Sequence, residues 1–289
     1  MARSVKCGVL WLCAFGIAVS LRADTDIVIF DPSRGLVEFT AVVNGATRGR
    51  FGVDTGADRF YVDRDFARRA GLSITPVNGA RVRGVDGEST IESAFLRSFA
   101  VGEEALYNVP VDVIDINRLS ENGRIDGLVG HIALSRFYVT VNYPARTFVL
   151  HAQEPEFLKG PESDYAVAPF RLEGHLVVVD VALEGPEHLR LFLDFCANVS
   201  TLSPAAAIRV GLTASTDGWV APTWAQVGDV RVNAPRFVVR DLKHILPPRS
   251  QGSVDGILGY TFLRDLCLTI DYHRDKIYFH RSSSTDGGD

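Results

Sequence analysis

Apolar and polar residues alternate with a period of two along most of this chain. The stretch Leu36-Val37-Glu38-Phe39-Thr40-Ala41-Val42-Val43 reads as a strand, and Ile27–Phe30 precedes it as another. Asn44-Gly45 is a hairpin turn signal, after which Gly49–Val53 returns as a strand that delivers Asp54. Asp63 has the character of a helix N-cap, and Gly71 ends that short helix after Ala70. Residues 79–101 are expected to form a long hairpin whose tip is Val85-Asp86-Gly87. Val109–Ile114, Tyr138–Val141 and Arg146–Leu150 complete a first set of strands. Strands are predicted again at Leu176–Leu183, Leu189–Leu193, Cys267–Tyr272 and Lys276–His280. Ser203-Pro204 opens a second short helix that Gly211 closes. Short strands between Gly and Pro turns, with only short helices, make an all-β architecture.

The pattern occurs twice. Asp54-Thr55-Gly56-Ala57 in the first half is matched by Asp194-Phe195-Cys196-Ala197 in the second. Seventeen positions on, each Asp has the Gly of an apolar-Gly-Leu ending, Gly71 and Gly211. Asp126-Gly127-Leu128-Val129-Gly130 is paired by Asp255-Gly256-Ile257-Leu258-Gly259. From the last Gly to a Tyr is thirteen positions in both (Tyr143, Tyr272), and eight more lead to His151 and His280. Four matched offsets identify an internal duplication. The second copy is fourteen residues shorter between Gly211 and Gly228 than the first between Gly71 and Gly102, where the long hairpin lies. Only the first lobe therefore has a flap-like projection.

Composition narrows the setting. Arg3 and Lys6 precede an apolar run, Gly8 to Val19, with small residues around Ala18–Ala23; residues 1–23 are expected to be a signal peptide. The run is shorter than the roughly 20 residues of a spanning helix, and Cys13 lacks the preceding small residue of a lipidation site. This predicts an exported protein, periplasmic or secreted, with no stable membrane span after cleavage. About 265 residues remain, enough for two lobes: 24–153, a Pro/Gly-rich linker 154–164, and 165–281, followed by a polar tail 282–289. A net charge of −5 with acids and bases interspersed excludes a nucleic-acid partner. Cys196 and Cys267 are read as thiols, and no Cys/His cluster has metal spacing, so neither metal nor cofactor is expected.

Asp-Thr-Gly-Ala at the end of an apolar strand, with apolar-apolar-Gly downstream, resembles the aspartic proteases of the retropepsin-like type, here as two tandem lobes. The resemblance covers residues 26–281 and implies a bilobal pepsin-like fold of two β-barrel lobes. It implies a catalytic pair, Asp54 and Asp194, sharing one proton around a water, because like charges about 3 Å apart do not both ionise. Thr55 is then the hydroxyl that bonds across to the other lobe, Gly56 the tight-turn residue and Ala57 the end of the loop. Val85, Asp86 and Gly87 form the flap over an extended peptide. The second copy departs from the family pattern: Phe195 has no hydroxyl, and Cys196 carries a Cβ where Gly is free to take positive φ.

Other residues have simpler readings. Asp126 and Asp255 begin turns into buried strands, Trp219 and Trp224 pack, and Arg68-Arg69 is a solvated helix face. Cys196 beside a carboxylate is disfavoured as a thiolate. The sequence is thus expected to be a monomeric aspartic endopeptidase acting on a peptide or protein substrate. Two alternatives stay open: a pepsin-like peptide-binding module without activity, and a homodimer pairing two Asp54 residues.

Overall fold

The computed structural model describes residues 18–19, 28–30, 35–84, 87–102, 104–118, 124–161, 165–243, 245–246 and 250–280. Most of the expected signal segment, the flap-tip residues Val85 and Asp86 and the C-terminal tail lie outside them. The first half folds into an eight-stranded sheet, the second into a nine-stranded one, and a six-stranded sheet joins the two. The fold is all-β and bilobal, with a few short helices.

Each lobe is built on the same motif. Glu38–Val43 and Thr47–Val53 form a hairpin, with Asn44 and Gly45 both at positive φ as the turn requires. Thr47–Val53 then pairs in parallel with Gly127–Val129, which pairs in turn with Tyr61–Asp63. In lobe two Leu176–Leu183, His188–Leu193, Gly256–Leu258 and Ser200–Leu202 repeat these contacts in the same order. The first strand begins at Glu38, not Leu36: Val37 N–H is turned away from the hairpin and donates to Phe195 O of the other lobe, 3.3 Å away. The helix Arg64–Arg69 is capped as predicted, the Asp63 carboxylate accepting from the N–H groups of Asp65 and Phe66. Ser203 caps Pro204–Arg209 by accepting from Ala206 N–H.

The long hairpin is Thr75–Gly84 against Gly87–Val101, starting four residues before the expected 79. Lobe two has only Trp219–Val220 and Trp224–Val227 in that stretch. The segment expected to be a linker holds a 3-10 turn, Glu156–Lys159, whose Phe157 ring packs on His151 and His280.

In the joining sheet Tyr138–Asn142 of lobe one runs antiparallel to Cys267–Asp271 of lobe two, centred on Thr140 opposite Thr269. Their buried hydroxyls are 2.8 Å apart. Each also meets a ring nitrogen of its own lobe's closing histidine, His151 at 3.1 Å and His280 at 2.8 Å. An approximate two-fold axis passes through this point and relates the lobes. No helix among the described residues is long and apolar enough to cross a membrane.

Candidate active site

Asp54 and Asp194 each stand where a central strand ends, and the loop after each folds back over the apolar-apolar-Gly strand. Asp54 N–H donates to Val129 O and Asp194 N–H to Leu258 O, both at 3.0 Å. His131 N–H returns to Ala57 O, and Tyr260 N–H to Ala197 O, both at 2.8 Å. This crossing demands glycine at the strand's end: a Cβ on Gly130 would lie 2.1 Å from Arg59 O, and one on Gly259 would lie 2.6 Å from Ala197 O.

The two loops meet at the lobe boundary. A Cβ on Gly56 would fall 3.0 Å from Asp194 Oδ2 and 3.3 Å from Asp54 Oδ1, so both carboxylates converge on this residue. Gly56 is therefore small because an oxygen of the other lobe occupies the space beside it. Neither Gly56 nor Cys196 has positive φ, so the expected backbone penalty at Cys196 is absent. Cys196 N–H donates to Asp194 Oδ1 at 2.8 Å, just as Gly56 N–H donates to Asp54 Oδ1 at 2.9 Å. The support of Asp194 by its own loop is intact despite the changed residue.

The support across the boundary is one-sided. Thr55, fully buried, donates its hydroxyl to Leu193 O at 2.7 Å and accepts Phe195 N–H at 3.2 Å. Phe195 offers no reciprocal hydroxyl; its ring is fully buried and packs near Tyr143.

Burial raises the pKa of both acids. Asp54 is held well above the ordinary carboxyl range, first by desolvation and then by the charge of Asp194; N–H groups of Gly56 and Ala57 act against this. Asp194 is pushed up to about 6 by desolvation, opposed by the N–H groups of Cys196 and Ala197. Two carboxyls so placed retain a proton between them through the weakly acidic range.

Of the expected flap residues, Gly87 opens the second flap strand, while Val85 and Asp86 lie outside the described residues. Asp126 and Asp255 are anchors. Asp126 accepts Arg50 N–H at 2.8 Å and the Arg69 guanidinium at 2.9 Å; Asp255 accepts Arg190 N–H at 2.8 Å and Arg209 at 2.6 Å. Arg68 and Arg69 both lie on the solvated helix face as expected, Arg68 pairing with exposed Asp65 and half-exposed Arg69 serving in addition as a tether. Trp219 and Trp224 stack under Arg236 and Arg231. Cys196 and Cys267 form no disulfide, and burial pushes the Cys267 thiol up to about 11. No group of three metal-ligating side chains occurs among the described residues.

This geometry agrees with known proteins. Residues 39–131 match the family model of the aspartyl proteases. An aspartic proteinase from Irpex lacteus has a similar fold, with a TM-score of 0.56 over 91% of this chain and 99% of that one, at 11% identity. The family match over lobe one and the fold over nearly the whole chain both support a likeness to the retropepsin-like and pepsin-like aspartic proteases. None of the curated proteins matches it by sequence. Family and fold together support aspartic-type peptidase activity.

Around this site the pattern of residues missed three contributors. Tyr143 and Tyr272, noted only as repeat markers, are buried beside the opposite lobe's residue after the apolar-apolar-Gly strand: Tyr143 near Tyr260 and Tyr272 near His131, with ring centroids 5.8 and 5.4 Å apart. His175, at the turn before Leu176–Leu183, reaches Gly56 O with Nε2 at 2.8 Å. Its only sequence signal was its alignment with Gly35, each nineteen residues before its own Asp.

Proposed function

We propose that this chain is an exported aspartic endopeptidase in which Asp54 and Asp194 of one monomer activate water against a peptide bond. The observation that carries this reading is the convergence of both carboxylates on Gly56, each held by the N–H two residues ahead. With one proton on the pair, the ionised carboxylate takes a proton from water as its oxygen bonds to the peptide carbonyl carbon. The protonated carboxyl hands its proton to the carbonyl oxygen, giving a neutral gem-diol. The carboxyl that took the water's proton gives it to the amide nitrogen, a gem-diol hydroxyl yields its proton to the other carboxylate, and the C–N bond breaks, which releases the two products and restores the singly protonated pair. Both acids are raised by burial, so the resting pair holds that proton in common. The long hairpin of Thr75–Gly84 and Gly87–Val101, which lobe two lacks, is the element under which an extended peptide substrate would be held. The basic-then-apolar start of the chain supports export to a periplasm or the exterior.

One observation favours the alternative of a binding module without activity: Phe195 leaves the cross-lobe support one-sided. The homodimer alternative gains nothing from the geometry, because a single chain supplies both acids.

The test is cleavage of a mixed peptide library between pH 3 and 8 by the wild type, Asp54→Asn and Asp194→Asn. Both variants should lose cleavage by at least a thousandfold or so, as expected when a residue of a catalytic unit is removed. The sign of the pH dependence follows from the raised acids. Below the lower of the two pKa values both carboxyls are protonated and no base remains. Activity should therefore rise as pH climbs above the usual carboxyl range near 4, and fall only after the pair loses its second proton. Activity surviving Asp194→Asn rules the reading out; binding of peptides with no cleavage at any pH selects the module.

A further inference from the structure

His175 occupies the position in lobe two that Gly35 occupies in lobe one. Gly35 packs on the opposite lobe's active loop: a Cβ there would lie 3.1 Å from Asn198 Cα, in the loop that follows Asp194. The two-fold relation places His175 against the loop after Asp54, and its Nε2 lies 2.8 Å from Gly56 O. A carbonyl oxygen only accepts, so Nε2 carries the hydrogen.

The bond acts where the site is tightest. In a trans peptide the C=O and the following N–H point in opposite directions. Holding Gly56 O therefore fixes the plane that carries Ala57 N–H, one of the groups that stabilise the Asp54 carboxylate. The same residue has Asp194 Oδ2 within 3.0 Å of where a Cβ would be, so tilting the plane also changes the spacing of the two acids.

The remaining cross-lobe bonds explain why lobe two needs this contact. Lobe one grips the lobe-two loop through the Thr55 hydroxyl, donating to Leu193 O and accepting Phe195 N–H, and through Val37 N–H to Phe195 O. A hydroxyl at position 195 would return the grip, and Phe195 has none. His175 is a side chain by which lobe two hydrogen-bonds to the lobe-one loop. We infer that His175 is a positioning residue that takes over the cross-lobe support lost at Phe195, by clamping the Gly56–Ala57 peptide beside Asp54. The inference rests on the proposed dyad for its kinetic consequence, but the clamp itself is measurable without turnover.

The test compares wild type, His175→Ala and His175→Gln in the full chain; Gln places an amide N–H where Nε2 stands. His175 is only partly buried, on a turn, so both variants should fold, with melting temperature as the check. Two readouts are taken: kcat and KM on a cleaved peptide, and amide hydrogen exchange across the active loops. For His175→Ala, kcat should fall about 10- to 100-fold, in keeping with a displacement near 1 Å, while KM stays within about twofold. Exchange should speed up in 54–58 and not in 194–198. His175→Gln should recover most of both. Unchanged exchange in 54–58 for His175→Ala, or a kcat loss that Gln does not recover, overturns the inference. If the wild type cleaves nothing, the dyad reading fails, and the exchange comparison alone still decides for or against the clamp.

Discussion

Thr55 serves both lobes through a single hydroxyl. It donates to Leu193 O and accepts Phe195 N–H, and no solvent reaches the side chain. Thr55→Val keeps the shape and removes the hydroxyl, leaving a buried carbonyl and a buried N–H without this partner. A lost buried partner costs about 1–3 kcal/mol, which for a chain of this size lowers Tm by about 2–4 °C per kcal/mol. Thr55→Ser keeps the hydroxyl and should lose much less. Thermal melting of the two variants checks this, and equal Tm values would mean that the hydroxyl contributes nothing to joining the lobes. The contrast with position 195 is informative. There the side chain is an equally buried phenylalanine, which trades a directional bond for apolar burial worth roughly 1.5–3 kcal/mol. Lobe two thus gains core and gives up a hold on the opposite loop, and His175 is the residue positioned to supply a replacement bond.

At the scale of elements, the Asp-Gly pairs lock a hairpin, a helix and a short strand together. Asp126 stands just before Gly127–Val129, accepts the N–H of Arg50 on the neighbouring strand, and receives Arg69 from the last turn of the helix Arg64–Arg69. Its carboxylate is largely buried, so the bonds are not merely a surface ion pair. Asp126→Ala should cost about 1–3 kcal/mol through the unpaired Arg50 N–H, while Arg69→Ala, removing only the half-exposed partner, should cost no more than about 1 kcal/mol. Urea denaturation measures both; a larger loss for Arg69→Ala would show that the ion pair, not the backbone cap, is the anchor. These anchors also explain what was legible beforehand. Asp126 and Asp255, Tyr143 and Tyr272, and His151 and His280 recur at fixed offsets because each makes an equivalent contact about the two-fold axis. The strands were legible from alternation, and the caps from Asp63 and Ser203. Of the contacts between lobes, the Thr55 bond was legible through the family motif, but that of His175 was not: it meets Gly56 across 119 positions, and nothing local to either marks the other. Cys196 was misjudged for a related reason. Residue type suggested a torsional need for glycine, whereas at Gly56 the need is for space beside a carboxylate supplied by the other half of the chain.

At the scale of the molecule, the lobes are joined below the site by a sheet with a hydrogen-bonded row at its centre: His151, Thr140, Thr269, His280. Three bonds link the four groups, but the two hydroxyls bring only two hydrogens. One histidine must therefore donate through Nε2 while the other accepts, so the row is fully satisfied with complementary tautomers of two neutral rings. The surroundings favour neutrality. Burial and the neighbouring His280 bring His151 down to about 4, and burial lowers His280 as well. Phe157 and Tyr165 cover the rings from the linker and the first strand of lobe two. Both folded-state pKa values thus lie below the unfolded value of about 6.5, so unfolding takes up protons in acid. The stability from neutral rings is complete above about pH 6.5 and is lost as pH falls from there toward the folded values. The active-site acids act in the opposite sense, since their raised pKa values favour the folded state in acid, and comparison with a variant separates the two effects. In His151→Gln the amide can still bond Thr140 but does not titrate. Its fall in Tm between pH 7 and pH 4.5 should be smaller than that of the wild type, and smaller again in a double variant with His280→Gln. Equal falls in all three would show that the sheet joining the lobes is insensitive to these histidines, and that acid acts on the molecule elsewhere.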